Sequence, residues 1–140
     1  MYYQIALEPD DNDTLLVTCA ALPEVTSFGD SEEDARRHAQ DAISAALAGR
    51  VQRRQDIPAP LDGPGPDRVM VPPTLAAKVA LYRVLRESGV SQTDLAGRLG
   101  KDAKQVQRLL DPAHRSAPED LAAALATLGW RMEVSFRPAA

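Results

Sequence analysis

The sequence predicts an α+β protein in two parts: a small β-β-β-α-β module, then an all-helical domain with a closing β-strand. Three observations carry this. Short runs rich in aromatic and branched residues fill the first 28 positions, and from Glu32 the apolar pattern changes to a helical period. Asp62 to Asp67 (DGPGPD) alternates Gly and Pro, which removes regular hydrogen bonding and divides the chain. The sign of the charge changes across that divide. Residues 1–60 hold 11 Asp/Glu against 5 Lys/Arg, and residues 61–140 hold 9 against 11, within a net charge of −4. An acidic half joined to a mildly basic half implies two modules with different partners, the basic one suited to phosphate and the acidic one to a basic protein.

The first strand is read over Tyr2–Glu8 (YYQIALE) and the second over Thr14–Ala20 (TLLVTCA), with Pro9-Asp10-Asp11-Asn12-Asp13 as the turn of a hairpin. Val25–Phe28 makes a third strand before Gly29. Ser31 caps a helix, with Asp34 three residues on in a capping-box-like pattern. Ala35, Ala39, Ala42, Ile43, Ala46 and Leu47 form its stripe, and Gly49 is expected to end it. A stripe of alanines lets this helix lie close against a sheet. Gln55–Leu61 (QDIPAPL), with Pro at alternate positions, is an edge strand or extended tail. The module is thus assigned to 1–61, and a linker holding a possible short strand, Arg68–Val71, to 62–73.

Residues 74–140 read as four helices and a strand. Thr74 is expected to cap the first, which carries Leu75, Val79, Tyr82 and Leu85 on one face and stops at Gly89. Ser91 caps a helix over Thr93–Leu99, Gly100 breaks it, and Asp102 caps the next, Ala103–Leu110, which Asp111-Pro112 stops. Ser116, with Glu119 after it, is expected to cap the last, with the stripe Leu121, Ala124, Leu125 and Leu128. Trp130, Met132, Val134 and Phe136 then alternate with Arg131, Glu133 and Ser135 as a closing strand. A strand needs a ladder, so this one pairs either with Arg68–Val71 of its own chain or with its twofold mate. Its apolar residues are the candidate dimerisation contacts.

Ser91–Leu110 has the form of a helix-turn-helix, two short helices on either side of a tight Gly turn. At about 100° per residue, Val106, Leu109 and Leu110 face one way while Lys104 and Arg108 lie opposite, with Lys101 extending their stripe and Gln105 and Gln107 flanking it. Arg and Lys suit guanine O6/N7 and Gln suits adenine, so this is a candidate major-groove face. Gln92 is placed to bond a phosphate at the start of the preceding helix. His114-Arg115 follows the reading helix and is a further, weaker phosphate candidate.

Catalytic and metal motifs are absent from the sequence. The single Cys19 excludes a disulfide framework and a Cys-based zinc site, and it falls in a predicted strand as a buried thiol. Asp10, Asp11 and Asp13 sit where turns favour Asp, with no His or distant Glu to complete a metal cage. No apolar run approaches the roughly 18–20 residues that span a bilayer. No signal-peptide pattern opens the chain, so a cytoplasmic, non-enzymatic protein without a cofactor is expected.

The residues in order resemble a HicB-type antitoxin of a bacterial toxin–antitoxin pair. The resemblance is carried by the strand hairpin, Leu22-Pro23, Gly29-Asp30-Ser31 leading into an Ala-rich helix with Glu33, Ala35 and Ala42, and Ile57-Pro58. It continues through Ser91-Gln92, Asp94-Leu95-Ala96, Leu99-Gly100, Arg108-Leu109-Leu110-Asp111 and Leu125–Gly129. The family often has Pro-Gly-Cys where this chain has Pro23-Glu24-Val25, so the toxin-facing loop is not carried over residue by residue. The resemblance implies a partial RNase H-like N-terminal unit without nuclease function, bound to a small basic HicA toxin, an mRNA-cleaving RNase whose active site it covers. Candidate toxin contacts are Asp10, Asp11, Asp13 and Glu24. It also implies a C-terminal domain that represses its own operator as a homodimer or higher oligomer. Two other readings make different demands: a regulator sensing a small ligand through the N-terminal module needs an apolar pocket, and a DNA-guided RNase H-like nuclease needs clustered carboxylates on strands.

Overall fold

The computed structural model describes residues 1–139, in two compact units that divide between Ala76 and Ala77. The first unit orders strands β1 (Tyr2–Gln4), β2 (Ala6–Pro9), β3 (Leu15–Thr18) and β4 (Thr26–Gly29), helix α1 (Glu32–Gln52) and strand β5 (Arg68–Met70). β2, β3 and β4 form an antiparallel meander, with Leu7 opposite Val17 and Val17 opposite Ser27. α1 packs along β4 and β3 and reaches β5. Tyr3, Ile5, Val17, Leu22, Ala35, Ala39, Ile43 and Leu47 fill the space between sheet and helix.

The expected first strand is two. After Gln4 the chain changes partners: Ile5 N–H donates to Asp67 O at 2.8 Å, β1 pairs with β5 (Tyr3 opposite Val69), and only from Ala6 does it pair with β3. The strand expected inside the linker therefore belongs to this sheet edge. Gln55–Leu61 is the extended alternative, joined to the sheet through one bridge between Leu61 and Tyr2. Cys19 is buried and free.

Ser31 caps α1 through its hydroxyl, which accepts from Asp34 N, but the reciprocal arm differs from the expected box: Asp34 Oδ2 accepts from Asp30 N, one residue earlier. Gly49 does not end the helix. One more turn buries Val51 and places Arg50 to bind Glu24, and the chain turns off at Arg53 and Arg54, the latter at φ 56°. Tertiary packing there outweighs the low helix propensity of a single Gly.

Arg50 grips Glu24 with two parallel bonds, Nε to Oε2 at 2.7 Å and Nη2 to Oε1 at 2.9 Å, tying the end of α1 to the β3–β4 loop. The guanidinium holds the Glu24 carboxyl down to about 2 from the usual 4.5. A carboxylate depressed in the folded state stabilises above its unfolded value and loses that contribution as pH falls through the folded one. Glu24→Gln should cost about 1 kcal/mol or less at pH 7, since the pair is partly exposed to solvent. The gap between variant and parent in urea unfolding should close as pH drops from 4.5 toward 2. A gap constant over that range would remove the ion pair as its cause.

The second unit holds the greater part of α2 (Pro73–Ser88), with α3 (Gln92–Leu99), α4 (Ala103–Leu110) and α5 (Pro118–Thr127). α3 packs on α4 and α5. Val79, Leu81, Leu95, Val106, Leu121 and Ala124 are its fully covered core. α2 is buried on most sides from Ala77 to Leu85 rather than along a single apolar face.

Two expected caps do not form. α2 starts at Pro73, ahead of Thr74, with Ala76 N–H returning to Pro72 O at 2.8 Å; Pro at a first helical turn gives up no needed donor. α5 is entered through Ala117 and Pro118 without a side-chain cap, because the Ser116 hydroxyl is drawn elsewhere. Trp130–Phe136 makes no strand within this chain, which corrects the intrachain closing strand.

Candidate nucleic-acid interface

The candidate reading helix, α4, is set by its two ends. Gly100, at φ 65°, takes the left-handed turn that ends α3, and Lys101 N–H closes back on Ala96 O at 2.9 Å. Asp102 Oδ1 then accepts from Gln105 N at 2.8 Å while Gln105 Oε1 accepts from Asp102 N at 2.9 Å, a complete capping box. Val106, Leu109 and Leu110 are buried, which leaves Lys104, Gln105, Gln107 and Arg108 exposed along one side and Lys101 half-buried at its start. Gln92 is half-buried in the first turn of α3, after the Ser91 cap. The structure thus places all six expected residues on α3, α4 and the turn between them.

One role changes. The capping box uses the Gln105 amide oxygen, so only its NH₂ is free to donate; the bidentate amide pairing with adenine needs both groups. Gln107, on the other flank, keeps both.

At the far end of α4 lies a residue the sequence reading passed over. Lys78, on α2, is 1% exposed, and its ammonium donates to Arg108 O at 2.8 Å, Leu109 O at 3.0 Å and Ser116 Oγ at 2.8 Å. It satisfies the carbonyls that a helix C-terminus leaves open and supplies the positive charge that end favours. Burial pushes the ammonium below its ordinary value, opposed in part by the Asp111 carboxylate. The sequence signal was a lone Lys inside LAAKVALY, a run otherwise apolar on every side.

The arginines of the first unit and of α2 and α3 are engaged. Arg36 holds Glu32 and Asp67, Arg37 holds Asp34, Arg83 faces Glu87, Arg98 donates to Thr127 O, and Arg86 lies over the Tyr82 ring. Among the described residues, Lys101, Lys104, Arg108 and Arg115 have no acceptor of their own.

In the first unit, Asp10, Asp11 and Asp13 are exposed around a single tight turn with Asn12 and Asp13 at φ 65° and 60°. No ion pair holds them among the described residues. Glu24 is different, its charge already met by Arg50. His38 Nδ1 lies 2.6 Å from Phe28 O, tying α1 to β4, while His114 is exposed after α4. The tail residues Trp130, Val134 and Phe136 are 57%, 66% and 93% exposed, and Met132 is half-buried beside an open recess of about 450 Å³ lined by Ala122 and Ala126. Among the described residues no group of three or more His, Cys, Asp or Glu could hold a metal ion, and no helix is long and apolar enough to cross a membrane.

Residues 2–80 match the family model of the HicB-like antitoxin of bacterial toxin–antitoxin systems. The chain belongs to that family. It is similar to Antitoxin HicB of Pseudomonas fluorescens (strain Pf0-1), 40% identical over 140 residues, which is 98% of this chain and 96% of the relative. Antitoxin HicB 1 of Photorhabdus laumondii is 30% identical over 137 residues, 97% of this chain and 87% of the relative. Antitoxin HicB of Escherichia coli K12 is 28% identical over 130 residues, 92% and 94% of the two chains. An antitoxin acts by binding, so the protein has a toxin as its partner and is not an enzyme.

Proposed function

We propose that the antitoxin binds a HicA-like, mRNA-cleaving toxin through its first unit and covers the toxin's active site, and that its second unit binds the operator of its own operon and represses it in the cytoplasm. The observation that carries the DNA-binding half is the segregation of charge partners. Lys101, Lys104, Arg108 and Arg115 on and beside α4 have no internal acceptor among the described residues, while the arginines of α1 are paired. Side chains left without acceptors on the outward side of a capped helix suit phosphates and base edges.

On the toxin side, the first unit acts as a partial RNase H-like fold without catalytic work. The unpaired acids of the Asp10–Asp13 turn suit a basic partner, steering it on approach and matching it on contact. Glu24 serves through Arg50, as a brace for the β3–β4 loop at the opposite end of β3 from that turn. The tail supports a dimer: alternating Trp130, Met132, Val134 and Phe136 have no ladder in their own chain, and a twofold mate provides one across two operator half-sites about one helical turn apart.

Lys104→Ala in the full chain should weaken operator binding by about 1–3 kcal/mol if the side chain reads a base, and Arg108→Ala should weaken it as well through a lost base or phosphate contact. A reporter fused to the operon's promoter should be derepressed in both, while co-expression with the toxin should still restore growth. Unchanged repression in both variants would remove α4 as the reader. Loss of growth rescue by the folded wild-type protein would remove the toxin assignment.

A further inference from the structure

Between α4 and the loop that follows it lies an open recess of about 200 Å³. Arg108 lines it from α4, Lys101 from the turn before that helix, and His114, Arg115 and Ser116 from the loop after it; Asp120 of α5 is the one carboxylate on its wall. Three cations against one anion leave it positive. None of the three cations has an internal acceptor among the described residues.

The walls are held in place. The buried Lys78 ammonium binds Arg108 O and Leu109 O on the helix side and Ser116 Oγ on the loop side, so one group fixes both. Ser116 Oγ also lies 3.5 Å from Arg108 O. Asp111 Oδ1 accepts from Ala113 N at 2.9 Å, which shapes the turn carrying His114 and Arg115. An anchored concave site lined by guanidinium and ammonium groups selects a compact, multiply accepting anion over a flat or apolar ligand.

We propose that this recess seats a phosphate, supplied by the backbone of the bound DNA, immediately beside the base-reading stripe of Lys104 and Gln107. The proposal rests on the DNA-binding reading above. It separates two kinds of work on and beside α4: Lys104 and Gln107 select sequence, while Lys101, Arg108 and Arg115 grip the backbone and fix the register in which selection happens.

The test uses the full-length protein, a duplex from upstream of its own gene and an unrelated duplex, with binding followed by anisotropy over a range of KCl concentrations. Arg115→Ala, at an exposed position, should weaken both duplexes by a similar factor, about 5–10-fold, and reduce the slope of log K against log salt by about 1. Lys104→Ala should weaken the upstream duplex more than the unrelated one. A second arm titrates inorganic phosphate without DNA and follows the Arg115 Nε–Hε resonance. A shift with DNA but none with phosphate assigns the seat to the backbone. A saturable shift with phosphate, with the salt slope unchanged in Arg115→Ala, assigns it to a free anion and overturns the backbone source. An unchanged slope together with an unmoved resonance in both arms overturns the seat altogether, while selective loss in Lys104→Ala would leave the DNA reading standing. Failure of the wild-type protein to bind either duplex would instead overturn the DNA reading itself.

Discussion

Gly29→Ala should cost the N-terminal unit more than about 3 kcal/mol, the largest effect expected of any single methyl group in this protein. Gly29 ends β4 opposite Leu15 and is buried where the sheet meets the first turn of α1. A Cβ there would lie 2.2 Å from Ala35 N and 2.4 Å from Ala35 Cα, so the obstruction is backbone that cannot rotate away. The helix cannot withdraw cheaply either. Ala35 N–H is bonded to Ser31 O at 2.8 Å, Asp34 N to Ser31 Oγ at 3.1 Å, and His38 is held at Phe28 O. Moving α1 outward would also open the contacts of Ala39, Ile43 and Leu47 with the sheet. Gly97→Ala is the matched control. It lies within α3 with nothing within 4 Å of its Cβ position, so it should be neutral or stabilising by up to about 1 kcal/mol. Amide exchange resolves the two: Leu15–Thr18 should lose protection in Gly29→Ala and keep it in Gly97→Ala. Full protection in both would show that the strand–helix approach tolerates a side chain.

The features legible in the sequence were those encoded locally. Ser31, Ser91 and Asp102 each cap the helix expected of them, and the side of α4 carrying Lys104 and Arg108 follows from the position of Val106 alone. What was not legible depended on residues far apart in the chain. Tyr2–Gln4 reads as a continuation of its neighbour, and only the arrival of Arg68–Met70 splits it off. Gly49 has every local mark of a helix end, yet the Arg50–Glu24 pair and the burial of Val51 carry α1 onward. Ser116-Ala-Pro-Glu119 has the spacing of a capping box, but its hydroxyl is taken by an ammonium 38 residues upstream. The same long-range contact explains why the most unusual residue of the site was missed: a lysine's acceptors leave no trace in its own neighbourhood.

Lys78→Ala should destabilise the second unit by about 3 kcal/mol. Two effects add. The lost stem leaves a cavity in a fully covered position, and the Arg108 and Leu109 carbonyls lose the donor that satisfies the end of α4. Lys78→Met separates them, since it keeps an unbranched stem and removes only the ammonium. It should recover the packing share while leaving the hydrogen-bonding share lost. In both variants the amides of Val106–Asp111 and of the loop to Ser116 should exchange faster, while those of Tyr3 and Val17 in the first unit should not change. DNA binding should fall even in Lys78→Met at temperatures where the unit stays folded, because the stripe of Lys104 and Arg108 is presented by a helix whose last turn is no longer held. Neutralisation of the toxin should persist, since the acids of the Asp10–Asp13 turn lie in the other unit. Equal stability and equal DNA affinity in Lys78→Met and the parent would mean that the three bonds to the ammonium only offset the cost of burying it. The charge would then be dispensable, and the position of α4 would be set by Val106, Leu109 and Leu110 alone.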